Sequence, residues 1–262
     1  MELTVLDDRG EIEIAIINNM LGLAEHSQAK RIQEAVKVYF GDNYDYAKSI
    51  YDEFKRHGHA EIERHFIDDN TLARINSISV EVLKEYDKYK EKIEYEVNRL
   101  FGMDLPKKLN LVITLIQKPE LLSSPHILNG GSYDMGVIAL RIYNDIDLEK
   151  EMPKIIDVLT HEILHVAFDN SWIKNKPSPA QEEALVSYFA PNGILSLLVG
   201  LIKNLDFDEL YKHVSVTIRN SDDLSEFTKL FPYIKDYYAQ LSYGKQNILD
   251  YLTDKINFNN KA

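Results

Sequence analysis

A helix-rich α+β fold with a small mixed sheet is what this sequence predicts, on three observations. Apolar residues recur at three- and four-residue spacing over most of the first hundred positions, with no proline before Pro106. Two short apolar runs, 109–116 and 137–142, have the length and branched side chains of strands. Helical spacing returns at about Pro153 and dominates to the last residue.

Taken in order, the chain opens with Leu3 and Val5, then Asp7-Asp8-Arg9-Gly10, then Ile12 and Ile14. That alternation predicts a short hairpin with a polar turn, the alternative being a helix that starts at the turn. Segments near 28–40, 44–57 and 78–101 have helical spacing, and Gly41, Gly58 and Gly102 stand where C-terminal stops belong. The third segment is long and laced with charge, as an amphipathic, half-exposed helix would be. After Gly102 the texture changes to strand 109–116, a loop with Pro119 and Pro125, the stretch NGGSYDMG and strand 137–142. The natural division falls near 102–106, between a helical region 1–102 and a mixed domain 103–262.

Of the 262 residues, 45% are hydrophobic and 27% charged, a globular balance that can bury a sizeable core. There is no cysteine, which removes disulfides, thiolate metal sites and thiol nucleophiles together. Any metal must be held by His, Asp or Glu. A net charge of −12 argues against a nucleic-acid partner, which requires a concentrated basic surface. The N-terminus carries acids where a signal peptide carries a basic start and an apolar run. The most apolar stretch, 194–202, is about half the roughly 20 residues that span a bilayer, so it reads as a buried helix. The expectation is a soluble, cytoplasmic protein that binds neither membrane nor nucleic acid.

The chemistry concentrates in DVLTHEILHVAFDN, which contains His161-Glu162-Ile163-Leu164-His165. Ile155, Leu159 and Val166 make an apolar stripe, so the segment reads as a helix. Two residues four apart share a helix face, and both imidazoles can reach one ion. Glu162, one position on, lies at the rim of that face, where it can take a proton from a water the ion polarises. Two neutral nitrogen ligands suit zinc, one ion per chain. The bland alternative is a chance pair of helical histidines among the chain's eight.

A catalytic zinc ordinarily has three protein ligands and one open position. No HxxGxxH pattern follows and no methionine follows Met152, which excludes a third histidine with a Met-turn. The helix after Pro179 offers Glu182 and Glu183; adjacent helical positions differ by about 100°, so only one of them can face the ion. Asp169 shares the ligands' face one turn further on and fits a supporting partner or a plain surface acid. His57, His59 and His65 cluster in KRHGHAEIERHF, but a solvated helix terminus explains them better than a converging site.

HEILHVAFD followed by EEALVSYF resembles the gluzincin metallopeptidases, in which HExxH is followed by a helix reading roughly E-G-L-A-x-Y-F. The resemblance covers about 109–256 and implies a zincin-like active-site helix, with His161, His165 and Glu183 as zinc ligands and Glu162 as general base. It departs in Ala184 for glycine and Val186 for alanine, in the missing tryptophan before the ligand and in the placement of Pro179. Tyr237-Tyr238-Ala239-Gln240, followed by ILDYLTDK, is similar to the segment in which aminopeptidase-like gluzincins enter a helix through Y-A-Q. There the tyrosine stabilises the oxyanion, which here implies Tyr238 as a catalytic donor. Tyr237, Tyr243 and His213 are the other candidates. The resemblance also places strand 137–142 at the edge of the sheet, where unpaired backbone could bind an extended peptide, with Asn129-Gly130-Gly131 allowing close approach. A plain hairpin turn is the alternative.

The implied activity is hydrolysis of peptide bonds in a peptide or protein substrate. Two other classes fit the same residues. A non-catalytic zinc-stabilised binding protein would need metal to fold and would hydrolyse nothing. A zinc hydrolase of a non-peptide amide would differ only in a substrate survey.

Overall fold

The computed structural model describes residues 1–26, 30–117, 130–134, 136–171, 176–217, 221–241 and 246–256. In chain order the elements are β1 (Glu2–Val5), α1 (Arg9–His26), α2 (Lys30–Phe40), α3 (Tyr44–His57), α4 (Asp69–Tyr86) and α5 (Lys90–Phe101). Next come β2 (Lys108–Ile116), β3 (Gly130–Asp134), β4 (Val137–Tyr143), α6 (Leu148–Asn170) and α7 (Pro179–Phe189). The chain closes with α8 (Ile194–Val199), α9 (Phe207–Thr217), α10 (Ser221–Gln240) and α11 (Ile248–Ile256). The protein is therefore helix-rich α+β. No described helix is long and apolar enough to cross a membrane.

The elements gather into two compact units. One holds the sheet and comprises 2–85 and 108–152; the other is helical and comprises Met1, 86–107 and 153–262. One cut, at 107/108, falls just after the expected 102–106, but the units are not the two consecutive segments on either side of it. Strands β2 to β4 group with the N-terminal helices, and α5 groups with the C-terminal ones.

In the sheet unit the strand order is β1-β2-β4-β3, with β1, β2 and β4 parallel and β3 antiparallel to β4. Leu111 pairs with Ile138, Ile113 with Leu140 and Leu115 with Ile142. Residues Leu111 to Thr114 and Ile138 to Arg141 are all buried, so both faces of these strands are covered. That is why the runs read as continuous apolar stretches instead of alternating. Strand β4 is interior, hydrogen-bonded on both sides, which corrects the expectation that 137–142 forms the edge. Among the described residues β3 takes the edge beside it. Its backbone starts at Gly130; Asn129 lies outside the described residues.

The second half of the expected hairpin is helix α1. Asp8 accepts the Glu11 backbone N–H at 2.9 Å and caps it. Ile12, Ile16, Ile17 and Met20, all at most 1% exposed, form its buried stripe. Two spaced isoleucines look like a strand only until the 12-16-17-20 periodicity is read through. The segment 78–101 is two helices, α4 and α5, separated by a turn in which Tyr89 N–H donates to the Tyr86 carbonyl at 2.8 Å. Apolar spacing continues unbroken across it, so periodicity does not mark the break; it falls where the chain leaves one unit for the other. Gly41, Gly58 and Gly102 all take positive φ (53°, 73° and 67°), as the stops require.

In the helical unit, Phe101 of α5 packs on Phe168 of α6 and Phe189 of α7, with ring centroids 5.9 and 4.6 Å apart. Tyr188 of α7 stacks on Phe227 of α10 at 4.1 Å and donates its hydroxyl to the Phe227 carbonyl at 2.6 Å. Leu159, Ile163, Leu164 and Val166 of α6 have no exposed surface, so the helix is locked by its apolar side. Residues 194–199 of the apolar 194–202 stretch are helix α8, with Ile194, Leu195 and Val199 buried.

Candidate metal centre

Helix α6 puts His161 and His165 on one face, and their Nε2 atoms stand 3.3 Å apart. Glu183, in the second turn of α7, brings Oε2 to 3.2 Å from His165 Nε2 and Oε1 to 3.8 Å from His161 Nε2. Two ligand atoms about 2.0–2.1 Å from one tetrahedral ion lie about 3.3–3.4 Å apart, so this spacing fits a single ion. Among the described residues these three are the group of acids and histidines able to hold a metal.

Each histidine is fixed from behind. His161 Nδ1–H donates to the Ala190 carbonyl and His165 Nδ1–H to Glu182 Oε1, both at 2.8 Å. Hydrogen bonds at Nδ1 set the ring orientation and turn the two Nε2 atoms toward each other. The two acids left open by the sequence thus stand differently: Glu183 joins the group that could hold a metal, and Glu182 orients His165. Their separation comes from the start of α7. Ser178 accepts the Gln181 N–H at 3.3 Å, while Gln181 Oε1 accepts the Ser178 N–H at 3.0 Å, a capping box with Pro179 in the first turn.

The charges match the geometry. Burial acts to raise the Glu183 carboxyl, but the hydrogen bond from His165 and the two imidazoles outweigh it and bring its pKa down to about 2. Ser187, one turn on, adds a hydrogen bond. Burial pushes His165 down, yet Glu182, Glu183 and the charge of Glu162 together hold it well above 6.5. A metal ion held here would have to displace a proton from His165. His161, His165 and Glu183 keep 15%, 20% and 38% of their side-chain surface exposed, so the group is reachable from solvent. Glu162 follows His161 directly and is 5% exposed.

Asp169 does not support the ligands; it makes an exposed ion pair with Lys176 at 2.7 Å. His65 is engaged by Glu13 at 3.1 Å, and His57 and His59 lie on an exposed helix end.

Tyr238 is not brought to the metal group. Asp223, in the first turn of α10, has its pKa raised to about 6 by burial and then by the charge of Glu183. Tyr188 packs on Phe227 one turn further along. Tyr188 thus sets α7 beside the first half of α10, and Asp223 feels the charge of Glu183 at the start of that helix. Tyr238 lies 238 − 223 = 15 residues on, about 22 Å along the helix, far more than a tyrosine side chain spans. Tyr237-Tyr238-Ala239-Gln240 ends helix α10 instead of leading into one, and the Tyr238 ring packs edge-on against Phe207 at 5.2 Å. Tyr237 is buried in the same turn against Tyr251, His213 sits in α9, and Tyr243 lies outside the described residues.

Sequence reasoning missed the Ala190 carbonyl and Asp157. The carbonyl has no residue-type signal; a buried acid one turn before HExxH does. A cavity of ≈ 340 Å³ in the sheet unit, lined by Asn18, Asn19, His59 and Asn110 among others, includes none of the metal group. Compared with protein-family models, curated proteins and solved structures, the chain matches none.

Proposed function

We propose that this chain is a zinc-dependent peptidase of the gluzincin type. The observation that carries the reading is the convergence of His161 Nε2, His165 Nε2 and a Glu183 oxygen, each imidazole already held through Nδ1. A His₂Glu donor set without sulfur suits zinc, and three protein ligands are the number a catalytic site uses. Zinc bound there would supply Lewis-acid polarisation of a carbonyl and a lowered pKa for water.

The chain's own groups supply the rest. Glu182 and Ala190 hold the two rings in the ligating tautomer. The Glu162 carboxylate accepts a proton from the attacking water and returns it to the leaving amine nitrogen. The exposed part of Glu183 leaves the group open to solvent on that side, as access for a peptide requires.

Metal analysis of purified protein, with a peptide-library assay of wild type and Glu162→Gln, tests this. About one zinc per chain is expected in both, with cleavage only in wild type. Stoichiometric metal in a His161→Ala, His165→Ala double variant would sink the site. Bound zinc with no hydrolysis of any peptide or amide would leave a structural metal centre.

A further inference from the structure

Asp157 lies one helical turn before His161 on α6, and both side chains reach the same short stretch of backbone after α7. Asp157 is 3% exposed. Its Oδ1 accepts the Ser196 hydroxyl at 2.5 Å and its Oδ2 accepts the Asn192 backbone N–H at 2.8 Å. Ser196, itself fully buried, also accepts the Gly193 N–H at 3.2 Å. Two residues before Asn192, Ala190 presents the carbonyl that receives His161 Nδ1–H.

This stretch leaves little freedom. Asn192 takes φ 61°, the left-handed region that non-glycine residues seldom occupy. A Cβ at Gly193 would overlap the Tyr188 carbonyl oxygen, so no side chain fits there. Such a turn needs outside partners to persist, and α6 supplies them at two points four residues apart. Burial pushes the Asp157 carboxyl up to about 6, so its charge is kept at a cost, offset in part by the two hydrogen bonds and by His161. A buried ionised group with a cost to stability is weak as a structural device alone.

We infer that Asp157 is a positioning residue for His161. By gripping Asn192 and Ser196 it fixes the Ala190 carbonyl, and that carbonyl fixes the His161 ring with Nε2 toward the ion. This rests on the metal-site reading above, and the experiment separates the two.

Zinc affinity at neutral pH is measured by competition with a chromophoric chelator for wild type, Asp157→Asn and Ser196→Ala, alongside thermal melting of the metal-free proteins. Loss of an outer partner of a ligand lowers metal affinity by about 10–100-fold; Asp157→Asn loosens that partner without deleting it and should cost about tenfold, the lower end of the range. Ser196→Ala, which removes one of the two donors, should lose affinity in the same direction by at least about threefold. A purely structural Asp157 would instead lower the melting temperature and leave the zinc affinity of the folded protein unchanged, which overturns the inference. If Asp157→Asn does not fold, Ser196→Ala decides: affinity within twofold of wild type overturns it. A wild type that binds no zinc overturns the metal site itself, whereas wild-type binding with unaffected variants overturns only the role of Asp157.

Discussion

Glu182 and His165 are joined by a 2.8 Å hydrogen bond at Nδ1, while Glu183, the next residue, meets the same ring at Nε2 at 3.2 Å. One imidazole thus lies between two successive acids of α7, and the helical rotation between them assigns each a different nitrogen.

The two acids should separate in a metal titration. Glu183→Ala removes a ligand and should abolish stoichiometric zinc. Glu182→Ala should keep the site with affinity lower by about 10–100-fold, the cost of losing a partner behind a ligating histidine. Chelator competition measures both. The reverse order of severity would move the ligand by one position.

The metal-free protein should carry a pH signature of the same pair. His165 has its folded pKa raised above 6.5, so its stabilisation is fully present below 6.5 and lost as pH rises through the folded value. Glu183, lowered to about 2, stabilises above 4.5 and loses that contribution as pH falls through about 2. The stability difference between wild type and His165→Gln should therefore be largest at about pH 4.5–6.5 and shrink at alkaline pH. Urea melts across that range measure it. Zinc affinity should rise with pH over the same interval, because the ligand must shed its proton.

Asp157 has the same sign of pH dependence as His165 and the opposite one to Glu183. Its pKa is raised from 3.8 to about 6, so the folded state binds more protons between those values and loses stability as pH rises through them. Asp157→Asn should flatten that slope in the metal-free protein, read from melting temperatures at pH 4 to 6.

Tyr238→Phe should be silent. Its ring packs on Phe207 and it lies many ångströms beyond the start of α10, so kcat and KM on any cleaved peptide should stay within about twofold. A fall of about 10²–10³ in kcat, the loss expected for an oxyanion donor, would return the role to it.

Ser178→Ala should cost about 1 kcal/mol of stability by removing the cap of α7. Since that helix carries Glu182 and Glu183, zinc affinity should fall with it; denaturant melts and chelator competition on one sample test the link.

Much of this protein is legible without coordinates, for local reasons. The glycines at 41, 58 and 102 mark helix ends because a C-terminal stop depends on residues a few positions apart. Buried strands β2 and β4 announce themselves as unbroken apolar runs. The hairpin reading of 3–14 failed because two isoleucines fit both periods. The break at 87–89 stayed hidden because apolar spacing runs through it.

The sequence by itself determined that His161 and His165 share a face and that Glu162 adjoins them, since four residues of helix bring two side chains together whatever surrounds them. Only the tertiary structure decided what meets that face. The choice between Glu182 and Glu183 turns on how α7 is rotated against α6, an angle of about 100° per residue that composition does not encode. The Ala190 carbonyl comes from 29 residues beyond His161 and belongs to backbone, which every residue has. Tyr238 carries the right hydroxyl, but its ring packs on Phe207 near the far end of α10, because reach in a folded chain is set by packing and not by residue type.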